Sequence, residues 1–108
     1  MIKDLRGIEI VKEPPDTMAS YPYLTLLFEE PQKRQKALQL FRNSGLGVSQ
    51  IYTFAINGYD YLKDSLPQKE FPVASNLAQR QMTLSISVFI STEEMKRVIN
   101  ILHHLLQN

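Results

Sequence analysis

The sequence predicts an α+β domain in which a sheet of three or four strands has helices packed on one face. The predicted elements run in the order strand, helix, strand, long loop, short helix, strand and helix, with room for one more strand ahead of them. Residues 82–88 alternate strictly between apolar and small polar side chains, so this strand buries only one face. The last helix carries an apolar stripe at helical spacing, which supplies a layer to cover that face.

Residues 1–20 predict an N-terminal arm. An apolar alternation at residues 8–11 lies between Gly7 and the Pro14-Pro15 pair. This pattern indicates an edge strand or an extended arm, because proline does not fit a central strand. The arm and the remaining residues, 21–108, are predicted to form one single domain of 108 residues.

The first central strand and the first helix are predicted from adjacent runs. Residues 23–28 are aromatic and aliphatic on both faces, as in a buried strand. A helix follows from Pro31 to about Asn43, since proline suits the first helical turn. Gly45 lies where a left-handed cap is expected. The residues predicted to face solvent on this helix are Lys33, Arg34 and Lys36.

The middle of the chain predicts a strand and then an unusually long loop. Residues 48–54 are rich in β-branched and aromatic side chains and predict the second strand. Residues 55–70 have no clean period and predict a loop with a helical turn near Tyr61 and Leu62. Loops above roughly 12 to 15 residues are uncommon in compact domains and are often functional.

Two helices are predicted in the last third of the chain. Residues 71–80 form a short helix with proline near its start, in which Val73 or Ala74 shares a face with Leu77. The run Ser91-Thr92-Glu93-Glu94 is a capping box that begins the final helix. Its apolar stripe consists of Met95, Val98, Ile99, Leu102, Leu105 and Leu106.

Composition and charge narrow the classes of function. Twelve Lys and Arg against 11 Asp and Glu give a formal net charge of +1, which offers no electrostatic footprint for nucleic acid or an anionic membrane. There is no cysteine, which excludes disulfides, thiolate zinc sites and cysteine nucleophiles. No signal-peptide core opens the sequence, and no apolar run approaches the roughly 20 residues of a transmembrane helix. We therefore expect a cytoplasmic protein.

The titratable residues predict neither a catalytic constellation nor a metal site. His103 and His104 are adjacent on a helix and point about 100° apart, so they do not chelate one metal ion. The paired glutamates lie at helix starts, where the helix dipole explains them. Every lysine lies among polar residues, whereas a Schiff-base lysine needs desolvation.

Aromatic residues at the end of the second strand and in the long loop form the one group with a candidate role. Tyrosines supply both a stacking face and a hydroxyl, in a part of the chain where binding sites are commonly built. The alternative is that the rings cover the edge of the core. The group consists of Tyr52, Phe54, Tyr59 and Tyr61.

One segment resembles a known family. Residues 71–87 read FPVASNLAQRQMTLSIS and are similar to the penultimate motif of the DegT/DnrJ/StrS-type sugar aminotransferases, F-P-x-A-x-x-L-A-x-R-x-L-x-L-P-I. The run RNSGLGVSQIY at residues 42–52 and the capped final helix fit neighbouring parts of that family's pattern. The resemblance covers residues 20–106. It implies the small C-terminal domain of a fold-type-I enzyme that depends on pyridoxal phosphate.

The resemblance also implies which residues this chain lacks and which it contributes. In such enzymes the large domain supplies the Schiff-base lysine, the aspartate on the pyridine nitrogen and the phosphate-binding groups. We therefore expect no catalytic or cofactor-binding residue here, and pyridoxal phosphate only where a large-domain partner completes the site. Family members carry a tyrosine and histidines near the substrate. Tyr52 is retained, whereas Ile51 and Asn57 stand at the histidine positions. Together with Tyr59 from the aromatic group, the substrate-side candidates are Tyr52, Asn57 and Tyr59.

Two functions of different classes follow. The first is a substrate-side or structural module, as a split subunit or a gene remnant, which is not catalytic alone. Its partner is a pyridoxal-phosphate-binding large-domain protein that docks around the N-terminal segment and the 55–70 loop. The alternative is an independent module that binds a small ligand or forms a homodimer through the polar sheet face of Thr83, Ser85 and Ser87. Neither function involves nucleic acid, a membrane or a metal ion.

Overall fold

The computed structural model describes residues 4–85 and 89–107, and in these ranges it contains a four-stranded antiparallel sheet and three α-helices. The strands are β1 (Ile8–Ile10), β2 (Tyr23–Phe28), β3 (Val48–Ser49) and β4 (Gln81–Ser85), in the spatial order β1-β2-β4-β3. The helices are α1 (Pro31–Asn43), α2 (Pro72–Arg80) and α3 (Thr92–Gln107). The predicted α+β class is confirmed.

One face of the sheet carries the core, and α1 and α3 cover it. The register of β2 and β4 places Leu24 opposite Leu84 and Leu26 opposite Met82. β1 extends the same face, because its Ile10 lies opposite Leu26. The buried residues of this core are Leu5, Leu26, Phe28, Ala37, Leu38, Phe41, Met82, Leu84, Val98, Leu102 and Leu105.

The predicted ends of α1 and the start of α3 are confirmed. Pro31 occupies the first turn of α1, and Gly45 beyond its end has a φ of 69°, in the left-handed region where a Cβ is disfavoured. At α3 the capping box is formed in both directions. The Glu94 amide donates to Ser91 Oγ at 3.1 Å, and the Ser91 amide donates to Glu94 Oε2 at 2.8 Å.

Arg34 does not face solvent, so that prediction is wrong. The side chain is buried, and its Nε donates to the Gln79 carbonyl at the end of α2 at 2.7 Å. Burial lowers the pKa of the Arg34 guanidinium, which still carries its charge at neutral pH. A second arginine joins α2 to β2, because Arg80 Nη1 donates to the Phe28 carbonyl at 3.0 Å.

Arg34 is buried because of the way in which α2 joins the sheet. α2 ends at Arg80 and β4 begins at Gln81, so no connecting residue lets the helix fold back over the core face. α2 contacts α1 and β2 instead, and Ala78 is its one buried residue. Val73 and Leu77 share a face, as predicted, but both are exposed.

β3 is shorter than the predicted strand at residues 48–54. Val48 lies opposite Leu84 and Ser49 opposite Thr83. Continuation of this register would place Ile51 opposite Gln81, the first residue of β4, so the predicted strand residues 52–54 have no strand to pair with.

β4 differs from its prediction on the polar side. Thr83 was predicted to lie on a small polar face open to solvent or a ligand, but it is buried where β3 pairs with β4, and its hydroxyl lies 2.8 Å from the Ser49 hydroxyl and 3.1 Å from the Ser49 carbonyl. Ser85 is exposed. The predicted strand residues 86–88, including Ser87, lie outside the described residues.

Removal of the Arg34 guanidinium should destabilise the fold. Arg34→Met keeps much of the apolar stem but leaves the Gln79 carbonyl without this donor, so we expect a loss of about 1–3 kcal/mol in the free energy of unfolding. Urea unfolding followed by circular dichroism measures it. Lys36→Met on the exposed side of α1 is the control and should change stability by less than about 0.5 kcal/mol. Equal effects of the two substitutions would contradict the assigned role of Arg34.

The capping box should make stability depend on pH. Hydrogen bonds from the Ser91 amide and hydroxyl lower the pKa of Glu94. A lowered pKa in the folded chain contributes stability that is present above the ordinary glutamate pKa of 4.5 and is lost as the pH falls through the folded value. Thermal unfolding midpoints from about pH 6 down to about pH 3 should therefore fall more steeply for the parent chain than for Glu94→Gln. Glu93→Gln is the control, and parallel curves for parent and Glu94→Gln would refute the prediction.

Candidate functional site

The substrate-side candidates all lie in the segment between β3 and α2, residues 50–71, which we call the 50–71 loop. Two short 3-10 turns shape it, Ile56–Gly58 and Asp60–Leu62. The second of these confirms the predicted helical turn near Tyr61 and Leu62. At its start the loop is fastened to the sheet, because Gln81 Nε2 donates to the Tyr52 carbonyl at 2.9 Å.

The loop is held together by side chains that donate to its own carbonyls. Asn57 Nδ2 donates to the Lys69 carbonyl at 2.7 Å and so joins the first turn to the residues just ahead of α2. Gln68 Nε2 donates to the Lys63 carbonyl at 2.8 Å. Ala55 is buried beneath the first turn. A long segment without extended pairing is thereby folded into a defined shape.

Three aromatic rings meet on this loop, with Tyr59 at the centre. The Phe54 and Tyr59 centroids are 5.5 Å apart with an edge-on angle of 88°. The Tyr59 and Tyr61 centroids are 5.6 Å apart and tilted by 45°. A Cβ at Gly58 would lie 3.0 Å from the Cβ of Phe54, so a larger residue there would have to push the Phe54 side chain away by a few tenths of an ångström. Tyr59 is half-buried, whereas Phe54 and Tyr61 are exposed.

The three predicted site residues have different surroundings. Tyr59 lies in the ring cluster. Asn57 uses its amide nitrogen to close the loop. The Tyr52 side chain is exposed and, within the described residues, makes no ring contact. The structure therefore places the three on one loop without bringing all three side chains together.

Several residues of this region were not among the predicted site residues. Gln81 fastens the loop, and Lys69 places its Nζ 5.9 Å from the centroid of the Phe71 ring. Phe71, Val73 and Leu77 form an exposed apolar group at the start of α2. One feature of the sequence indicates this apolar group, because residues 71–79 contain no charged side chain.

The charged groups of the loop interact only weakly. Asp60 and Lys63 form an exposed ion pair three residues apart, and the hydrogen bond and charge of Lys63 lower the pKa of Asp60. An exposed pair of this kind contributes little stability. Stacking faces and tyrosine hydroxyls, rather than a charged group held for proton transfer, are what the loop offers a ligand.

The described residues offer neither a metal site nor a membrane-spanning helix. Residues 4–85 and 89–107 contain no group of three or more His, Asp or Glu side chains placed to hold a metal ion. In those ranges no helix combines the length and the apolar character that crossing a bilayer requires.

The Asn57 hydrogen bond should control the order of the loop. Asn57→Ala removes the donor to the Lys69 carbonyl, so we expect limited proteolysis between residues 60 and 70 to become at least several-fold faster. Gln35→Ala, on the exposed side of α1, is the control and should leave the cleavage rate unchanged. An unchanged rate for Asn57→Ala would mean that the loop is ordered without this bond.

Comparison with known proteins assigns the chain to a family. No match is found among curated proteins. The model of the DegT/DnrJ/EryC1/StrS aminotransferase family matches residues 1–103, so the match extends to the N-terminal arm and β1, which the resemblance in the sequence did not cover. Because the matched residues make up nearly all of the 108-residue sequence, the chain belongs to the DegT/DnrJ/EryC1/StrS aminotransferase family.

Proposed function

We propose that this chain is the small C-terminal domain of a pyridoxal-phosphate-dependent sugar aminotransferase and contributes to the substrate side of the active site. Membership of the aminotransferase family supports the class of reaction. A small sheet with helices on one face agrees with the architecture expected of such a domain. The observation that carries the proposal is that the chain matches this family while its described residues do not fit the family's cofactor.

Pyridoxal phosphate needs a lysine amine in a desolvated pocket, a carboxylate at the ring nitrogen and donors for the phosphate. Lys33 is half-buried, in an open groove of about 280 Å³ whose lining includes Lys36 and His104 but no carboxylate. A larger cavity of about 310 Å³, between the end of the sheet and α3, is mainly apolar and has no lysine in its lining. The other described lysines are exposed: Lys12, Lys36, Lys63, Lys69 and Lys96.

The described residues therefore do not fit the cofactor, and no step of its chemistry is assigned to this chain. Pyridoxal phosphate, when bound by a large domain, supplies the electron sink for amino-group transfer. The role proposed here is to bind and orient. The Tyr59 ring and hydroxyl, the Tyr52 side chain and the Asn57 amide lie on the loop that would face the substrate.

The proposal predicts complementation. When this chain is mixed with the large domain of a family aminotransferase produced without its own small domain, transaminase activity should rise well above that of the large domain alone. Absorbance of the bound cofactor should rise with it. An unrelated α+β protein of similar size is the control. Activity that stays at the level of the large domain alone would overturn the proposal.

Tyr59→Phe in the same mixture tests the substrate side. This substitution keeps the ring contacts with Phe54 and Tyr61 and removes only the hydroxyl, so KM should rise several-fold while the affinity between the two proteins is unchanged. Tyr21→Phe, in the exposed segment ahead of β2, is the matched control. If both variants have the KM of the parent chain, the Tyr59 hydroxyl does not contact the substrate.

A further inference from the structure

Eight of the fourteen exposed large apolar side chains among the described residues lie between residues 51 and 77. Tyr61 is 78% exposed and Val73 is 74% exposed. We define the 51–77 surface by its eight exposed apolar members, which are Ile51, Tyr52, Phe54, Ile56, Tyr61, Phe71, Val73 and Leu77.

Contacts through neighbouring residues link three members of the 51–77 surface, Phe54, Tyr61 and Phe71. Phe54 and Tyr61 both meet the Tyr59 ring. The bond from Asn57 to Lys69 brings the first turn of the loop to the start of α2, where Lys69 lies against Phe71. Together these contacts join the ring cluster of the loop to Phe71, the residue immediately ahead of α2.

The size of this surface matches that of a protein interface. Whole aromatic side chains bury roughly 150–250 Å² each, so the exposed parts of the four rings come to on the order of 500 Å². The four aliphatic side chains bring the total to about 800 Å², which is what one partner contributes to a standard stable interface. The largest apolar patch of a typical monomer is about 300–600 Å².

The distribution of charge supports the same interpretation. Five charged residues occur between residues 51 and 77, and all five lie at 60–70, so the stretches 51–59 and 71–77 have none. The exposed sides of α1 and α3 differ, because they carry charged residues such as Lys36, Arg42 and Lys96. Depletion of charge at the centre with a polar rim is the pattern of protein interfaces. Ala74 and Ser75 on α2 are small enough to let a partner backbone approach closely.

We infer that the 51–77 surface is where the lysine-bearing large domain docks on this chain. This inference rests on the proposed function. The occupant is identified by two observations: the family's cofactor chemistry has to come from outside the described residues, and the substrate-side candidate Tyr52 is itself part of the surface. A partner that brings the reacting groups to Tyr52 and Tyr59 covers this surface. Its own docking face is apolar and carries no charge opposite Val73.

Val73→Glu tests the docking surface. Val73 is exposed and lies in the first turn of α2, where a carboxylate interacts favourably with the helix N-terminus, so the variant should fold. A carboxylate buried without a partner in the interface should weaken binding to the separately produced large domain at least tenfold, measured by isothermal titration calorimetry. Tyr61→Ser should weaken the same binding. Gln35→Glu adds an equal charge to the exposed side of α1 and should leave the dissociation constant within about twofold.

The outcomes separate this inference from the proposed function. If the parent chain binds the large domain and neither surface variant binds more weakly, the docking surface lies elsewhere, while the proposed function stands. If the parent chain does not bind a large domain that is folded by circular dichroism, both fail. Sedimentation of the chain alone is the second measurement. A dimer that Val73→Glu dissociates would mean that a second copy of this chain covers the surface, which would overturn the inference.

Discussion

The direct junction between α2 and β4 is the constraint on which the rest of the structure depends. Arg80 ends the helix and Gln81 begins the strand, so the position of one element dictates that of the other. The two arginine side chains secure the junction, since Arg34 donates to the Gln79 carbonyl and Arg80 donates to the Phe28 carbonyl. Helix carbonyls at a C-terminus lack intrahelical partners, so a guanidinium there satisfies an acceptor as well as joining elements.

The position of the candidate functional region follows from this junction. Because α1 and α3 already cover the core face of the sheet, α2 buries little more than Ala78 and turns Val73 outward. The same junction starts β4 at Gln81, opposite Ile51 in this register, so the residues after Ile51 have no strand to pair with and the 50–71 loop folds on itself. The bond from Asn57 to the Lys69 carbonyl then brings this loop to α2. The substrate-side candidates and the exposed apolar side chains are neighbours for one structural reason.

Local patterns predicted the elements that are decided locally. The capping box and stripe of α3, the left-handed Gly45 beyond α1 and the apolar run of β2 required no knowledge of the fold. Contacts between elements that are distant in the sequence could not be predicted from such local patterns. Arg34 has the spacing of an exposed residue and becomes buried only because α2 ends against it. At the candidate site the loop and its residue types could be predicted. The partners of Asn57 and Gln81 could not, since they depend on where β4 begins.

The short outer strands of the sheet have a consequence for solubility. β1 has three residues and is soon followed by the Pro14-Pro15 pair, while β3 has two residues. An edge strand this short is a poor template for a strand from another chain, and proline cannot extend its hydrogen-bonded ladder. Fibril growth by backbone templating is thereby disfavoured at both borders of the sheet. The borders of the sheet therefore offer little backbone template for aggregation, although several aromatic rings of the chain are exposed to water.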